Sequence, residues 1–284
     1  MNRDRDIAEF ALPEWRSLAS LADRDVPLLE SALLIASDEY PELDPAACEA
    51  MLREYVESLR DDVAVIDSAS QKMLAINRRL FDELGFTGNQ AEYYDPRNSY
   101  LNEVLTRRLG NPISLAVIQI EVARRLGVPL DGISFPGHFL VRLPVDEGML
   151  VMDPFYHGRP LDTDELRQLA LPHVGEELPD EKLLQMLSPA PHRAILARML
   201  RNLQAVYSER EDWPRAVRCA DRILQVVPDA VEALRDRGLG YLAMGHRAGA
   251  CHDLGLYLQR QPEASDAEQV REQLIEAGGG GRLH

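Results

Sequence analysis

Cysteine is scarce in this chain, and what there is sits apart. Cys48, Cys219 and Cys251 are odd in number and show no CxxC spacing, which argues against a disulfide framework and a thiolate metal site and fits a reducing compartment. Long apolar runs are missing as well. No segment approaches the roughly 18 consecutive apolar residues of a membrane span, and the opening Met1–Phe10 has no apolar core that a translocation machinery would read. Basic residues are outnumbered, 31 Lys and Arg against 47 Asp and Glu, for a net charge of −16. Such a surface repels phosphate backbones and anionic lipid, so neither nucleic acid nor a membrane is expected as a partner. The expected location is the cytoplasm.

What remains is an ordinary globular composition, 45% hydrophobic and 27% charged, over a length of 284 residues that suits two domains. Residues 1 to about 95 read as helices. Asp44-Pro45 is a helix start, with Asp as cap and Pro at the first helical position. Ser68 or Ser70 opens another helix, with Met73, Leu74, Ile76, Leu80, Phe81 and Leu84 at helical spacing until Gly85 ends it. The turn formers between Thr87 and Asn98 predict loop. Strand character is confined to three short segments, from Gly132, from His138 to Leu143 and from Met149 to Asp153. A hairpin centred on Val145-Asp146 sets position 138 opposite position 153, with both side chains on one face. A slip of one residue would break that pairing.

From about Pro191 the chain is helical again and repeats itself. Leu200 and Leu234, Tyr207 and Tyr241, Ala216 and Ala250, Leu224 and Leu258, and Pro228 and Pro262 are all thirty-four residues apart. This is the period of the tetratricopeptide (TPR) helix–turn–helix unit, with Ala where helices touch and Pro after the second helix. The expected domains are 1–185, a helical amino-terminal region with an α+β core, and 190–265, an all-α repeat block. A flexible tail follows at 276–284.

The most informative helix runs from Pro112 to Gly127. Asn111 can cap it, and its apolar residues cover nearly every face, which predicts a buried central helix. Ser114 falls in its first turn, where free backbone N–H groups favour developing negative charge. His138 begins one strand and Asp153 ends the next. Nucleophile, base and orienting carboxylate thus follow in chain order, and the roles of acyl transfer would follow: His138 takes the proton of Ser114 and Asp153 steadies the imidazolium. Asn102 and Asn111 are candidates for substrate orientation or an oxyanion hole, with a helix-face amide and an N-cap as their plain alternatives.

At these residues the sequence resembles a known family. Leu101–Leu105 with Tyr100, Asn111–Leu115, Phe135–Val141 and Met152–Phe155 together resemble the SirB-type branch of the transglutaminase-like superfamily, whose bacterial members carry such a core followed by TPR repeats. The resemblance covers roughly residues 30 to 265 and implies a papain-like core with a small antiparallel sheet. The superfamily's Cys-His-Asp triad falls on Ser114, His138 and Asp153. A thiol of pKa about 8.5 is readily held as a thiolate beside an imidazolium, and a serine hydroxyl is not.

Each candidate has a bland counterpart. Ser114 can be a first-turn serine bonded back to the helix or to Asn111, and His138 with Asp153 a hydrogen-bonded pair that steadies the hairpin. His157 invites a metal reading with His138, but the spacing matches no zinc signature. Cys48, Cys219 and Cys251 read as buried helix residues, and Arg107-Arg108 and Arg124-Arg125 as solvated faces. No cofactor and no metal is expected. Two functions follow. The preferred one is a protein- or peptide-binding module, using the TPR groove and the core cleft, with no or residual catalysis. The other is a serine-dependent amide or ester hydrolase or acyl transferase.

Overall fold

The computed structural model describes residues 10–146, 148–175 and 178–279. The opening segment 1–9, Glu147 of the hairpin loop and residues 280–284 of the expected tail lie outside it. The chain forms two compact units, one holding Ala22–Ile195 and the other Leu196 onward together with Glu14–Leu21. The amino-terminal turn α1 (Trp15–Leu18) therefore groups with the repeat block, although the expected boundary gave residues 1–185 to the core. Within that second unit the guanidinium of Arg222 lies 5.0 Å from the Trp15 ring centroid.

In the first unit, helix α2 (Leu28–Ser37) is followed by α3 (Pro45–Ala64), capped as expected by Asp44, whose Oδ1 accepts from the Ala46 and Ala47 amides at 2.9 and 3.2 Å. Helix α4 (Ala69–Asn77) widens into a π-helical turn at Arg78–Glu83 before Gly85, at φ +76°, ends it. Met73, Ile76, Leu80 and Phe81 face the core, while Leu74 points to solvent.

The segment expected as loop from Thr87 to Asn98 contains a two-residue strand, β1 (Thr87–Gly88), paired parallel with β2 (Leu109–Gly110). Pairs this short carry no alternation that a sequence can display. Helix α5 (Leu101–Arg107) lies between them, and α6 (Pro112–Arg125) follows. Every residue of α6 from Pro112 to Ala123 is buried, so it is the central helix its apolar faces predicted.

Strands β3 (Asp131–Ile133), β4 (Leu140–Val145), β5 (Gly148–Asp153) and β6 (Arg159–Leu161) form an antiparallel sheet in that order. Ile133, Phe135, Leu140, Val151 and Leu161 close a core with residues of helices α7 (Thr163–Val174) and α8 (Asp180–Met186). The hairpin register differs from the one expected. Val145 pairs with Gly148 and Arg142 with Val151, so Asp153 is directly across from Leu140 rather than from His138. Pro144, which cannot donate to a ladder, falls in the expected loop between Leu143 and Met149. It nevertheless pairs with Met149, since β3 faces only Leu140–Arg142 and β4 is an edge strand beyond that point. Strand β6, with Pro160 on the edge of the sheet, was not expected at all.

The second unit continues through α9 (His192–Glu209), α10 (Trp213–Val226), α11 (Val231–Ala243), α12 (Arg247–Arg260) and α13 (Ala267–Gly279). Several of the thirty-four-residue pairs occupy equivalent environments, although Tyr207 is buried and Tyr241 half-buried. Ala216 and Ala250 are buried, Leu200 and Leu234 are buried, and Pro228 and Pro262 follow the ends of α10 and α12. Arg237 on α11 binds Asp221 of α10 at 2.7 Å and Asp253 of α12 at 2.7 and 3.0 Å, fastening three successive helices. The backbone stays helical to Gly279, past the start of the expected tail at residue 276. Among the described residues no helix is long and apolar enough to cross a membrane.

Candidate functional site

The start of α6 is built from asparagines and serines. Asn111 caps the helix, its Oδ1 accepting from the Ser114 amide at 2.9 Å, while its own amide donates to Ser114 Oγ at 3.1 Å and to the Asn98 carbonyl at 3.1 Å. Asn111 Nδ2 donates to Ser99 Oγ at 2.8 Å. The hydroxyl of Ser114 donates to the Asn98 carbonyl at 2.6 Å, with the Asn111 carbonyl at 3.1 Å. Ser114 is 0% exposed, and among the described residues its hydrogen bonds all run to Asn98 and Asn111. Gly110 makes this closure possible: a Cβ there would sit 2.7 Å from Ser114 Oγ and 2.9 Å from Leu115 Cγ.

His138 and Asp153 do meet. The Nδ1 of His138 is 4.0 Å from Oδ2 of Asp153, with His138 27% exposed and Asp153 almost fully buried. His138 does not begin a strand as expected: β4 starts at Leu140, and His138 follows the Pro136-Gly137 turn, with Gly137 at φ +67° and the His138 amide donating to the Phe135 carbonyl at 3.1 Å. From that turn its side chain reaches Asp153 at the end of β5. At 4.0 Å the contact is electrostatic rather than a hydrogen bond. Asp153 also caps the 3₁₀ turn Pro154–Tyr156, its Oδ1 accepting from the Phe155 amide at 2.9 Å. Burial pushes its carboxyl above the ordinary carboxylate range, against the pull of that amide and of His138.

Of the remaining candidates, Asn102 is partly buried on α5, and its Oδ1 is buried without a hydrogen-bond partner among the described residues. His157 has φ +59°, stacks on Phe81 at 6.1 Å and holds Thr87 Oγ1 at 3.0 Å through Nε2. Burial raises the thiol pKa of Cys48, which keeps it in its unreactive form on α3. Cys219 is buried on α10.

The sequence reading missed an aromatic surface beside Asp153. Tyr94, Tyr93, Phe155 and Tyr156 form a continuous edge-to-face chain, with successive centroids 5.2, 5.7 and 5.3 Å apart. Two segments that are distant in sequence contribute to it, and only the tertiary fold joins them.

Comparison with known proteins identifies the family to which this fold belongs. The model of the transglutaminase-like superfamily matches residues 46–201, over half of the chain, and that of the tetratricopeptide repeat matches residues 203–275. Fold and matches together define a transglutaminase-like domain followed by TPR helices. The chain belongs to the transglutaminase-like superfamily, as a protein of its SirB type.

It is 60% identical over 271 residues to a UPF0162 protein of Xylella fastidiosa, covering 95% of this chain and 96% of that one. It is 25% identical over 260 residues to Protein SirB1 of Salmonella typhimurium, covering 91% and 96%. A shorter likeness, 34% over 192 residues, joins 63% of this chain to 29% of F-box only protein 21 of Mus musculus. No solved structure matches the chain.

Proposed function

We propose that this chain is a cytoplasmic protein- or peptide-binding module whose transglutaminase-like core has no or residual catalysis. The observation that carries the reading is the state of Ser114: fully buried, locked in a capping box, its proton given to the Asn98 carbonyl. An alkoxide at that position would face the Asn98 and Asn111 carbonyls, with the Asn111 amide as its one donor among the described residues, in surroundings that penalise charge.

The TPR block supplies the binding surface. A groove of about 720 Å³ opens between its helices, with Trp213, Leu239 and Leu242 as apolar lining and Arg201, Gln204 and Gln273 as polar groups. Apolar side chains give a partner segment its affinity there, and the few polar groups fix its register. The core cleft beside His138 is a second contact in this reading, which calls for no cofactor, metal, nucleic acid or membrane.

One observation favours a second reading, an amide or ester hydrolase or acyl transferase using Ser114, His138 and Asp153. A partly exposed histidine beside a buried carboxylate is the half of a triad that moves protons. In that reading His138 accepts the Ser114 proton and returns it to the leaving group, and Asn102 and Asn111 hold the substrate oxygen. It requires the Ser114 hydroxyl to leave Asn98.

The test of the first reading is site-directed. A photo-crosslinking residue at Ala243 in the groove is expected to capture a discrete partner, with the yield abolished by Trp213→Ala or Leu242→Asp. The same residue at exposed Leu184 serves as background. Equal capture from both positions would remove the groove from the account.

A further inference from the structure

Exposed aromatic side chains are ordinary when scattered and informative when joined. Only 6% of this chain is aromatic, yet Tyr93, Tyr94 and Tyr156, exposed at 43%, 66% and 45%, share one edge-to-face chain through buried Phe155. We propose that this tyrosine surface beside the His138–Asp153 pair is a docking site for an extended, Lys/Arg-bearing segment of a partner protein.

The surface is built and held. Phe155 wedges against Gly88, where a Cβ would lie 2.4 Å from the ring, so the β1–β2 pair brings backbone directly under the aromatic anchor. The tyrosine turn is pinned by a closed asparagine network. Asn89 Nδ2 donates to Asn98 Oδ1 at 3.0 Å, and Asn98 Nδ2 donates to the Glu92 and Tyr93 carbonyls at 2.7 and 3.2 Å. The Glu92 amide in turn donates to Asn89 Oδ1 at 3.1 Å. Both asparagines are buried. A fully satisfied buried network that fixes exposed rings is preorganisation, and it lowers the entropy cost of binding. Asp153 ties the other end down through the Phe155 amide.

Charge selects the occupant. Tyrosine faces carry negative quadrupole density that attracts guanidinium and ammonium groups. Glu92, next to Tyr93, has no ion-pair partner among the described residues. The nearby cations are held in ion pairs, Arg97 and Arg107 sharing Asp95 at 2.7 and 3.5 Å and Arg159 on Glu165 at 2.6 Å. The chain as a whole carries −16. A basic segment is drawn to this surface and an acidic one is repelled.

The experiment is fluorescence anisotropy of labelled (Gly-Arg)₆, (Gly-Glu)₆ and (Gly-Ser)₆ peptides titrated with the full chain. The variants are Tyr94→Ala/Tyr156→Ala, the same pair changed to Phe, and Glu92→Gln. Thermal melts show that each variant folds. The tyrosine changes leave net charge untouched, so long-range attraction alone cannot distinguish them from wild type. The arginine peptide is expected to bind best, to weaken at least about fivefold with the double alanine variant, and to keep its affinity with the phenylalanine pair. Glu92→Gln is expected to weaken it by about twofold or more. Equal binding by wild type and the alanine variant, preference for the glutamate peptide, or burial of the tyrosines in a dimer seen by sedimentation would each overturn the proposal. The groove reading has its own test in crosslinking at Ala243, so failure of the tyrosine variants to change binding leaves that reading standing.

Discussion

The hydroxyl of Ser114 donates to the backbone carbonyl of Asn98 at 2.6 Å, joining the first turn of α6 to a turn sixteen residues earlier in the chain. A residue kept for chemistry is often a cost to stability, whereas a capping residue contributes to it. Ser114→Ala is therefore expected to lower the unfolding free energy by about 1–2 kcal/mol, with an unchanged slope in urea denaturation. A variant as stable as wild type would contradict the capping role.

Asp153 behaves in the opposite sense. Its carboxyl pKa is raised by burial, so the stability it contributes is full below the ordinary carboxylate value and is lost as pH rises through its folded value. Asp153→Asn keeps an acceptor for the Phe155 amide and removes the buried charge. Urea midpoints between pH 4 and 7 are expected to fall less for the variant than for wild type, and the variant is expected to be no less stable at pH 7. A variant markedly weaker at pH 7 would show that the charge of Asp153 stabilises the fold.

A buried ion cluster holds α6 to α3. Arg125 reaches Glu121 at 2.5 Å and Glu49 at 2.6 Å, all three side chains being less than one-fifth exposed. Burial pushes the Glu121 carboxyl up, but hydrogen bonds from Arg124 and Arg125 outweigh it and the net shift is downward. The stability from a depressed carboxylate is present above its unfolded pKa and lost as pH falls through the folded value. Arg125→Met strands Glu49 and leaves Glu121 to Arg124 alone, and is expected to cost about 3 kcal/mol at pH 7. The deficit should shrink as the pH approaches 4, read by denaturant titration at each pH.

Gly88→Ala drives a methyl into the Phe155 ring. Overpacking of this kind costs about 1–3 kcal/mol, and the shift of Phe155 should change the near-ultraviolet dichroism of the tyrosine chain. An unchanged aromatic spectrum would mean that Phe155 does not anchor the tyrosines.

Much of this was legible because it is local. Asp44-Pro45 and Asn111-Pro112 announce helix starts through cap chemistry, and the thirty-four-residue period announces the repeats. The partnership of His138 with Asp153 was legible only in part. The two side chains do approach, but His138 does so from a turn before β4 rather than across a ladder, and the register differs because Pro144 and Val145 extend the strand into the expected loop. Strand β6 and the β1–β2 pair are too short to show a period. The partner of the Ser114 hydroxyl and the aromatic chain lie between segments distant in sequence, where no local pattern records them.

The central claim is that Ser114 completes the capping box of α6 and does not attack a substrate. Fluorophosphonate labelling of the full chain, beside Ser114→Ala as control, tests it most directly. The account predicts equal background labelling of the two proteins. Stoichiometric labelling of wild type that disappears in Ser114→Ala would contradict it.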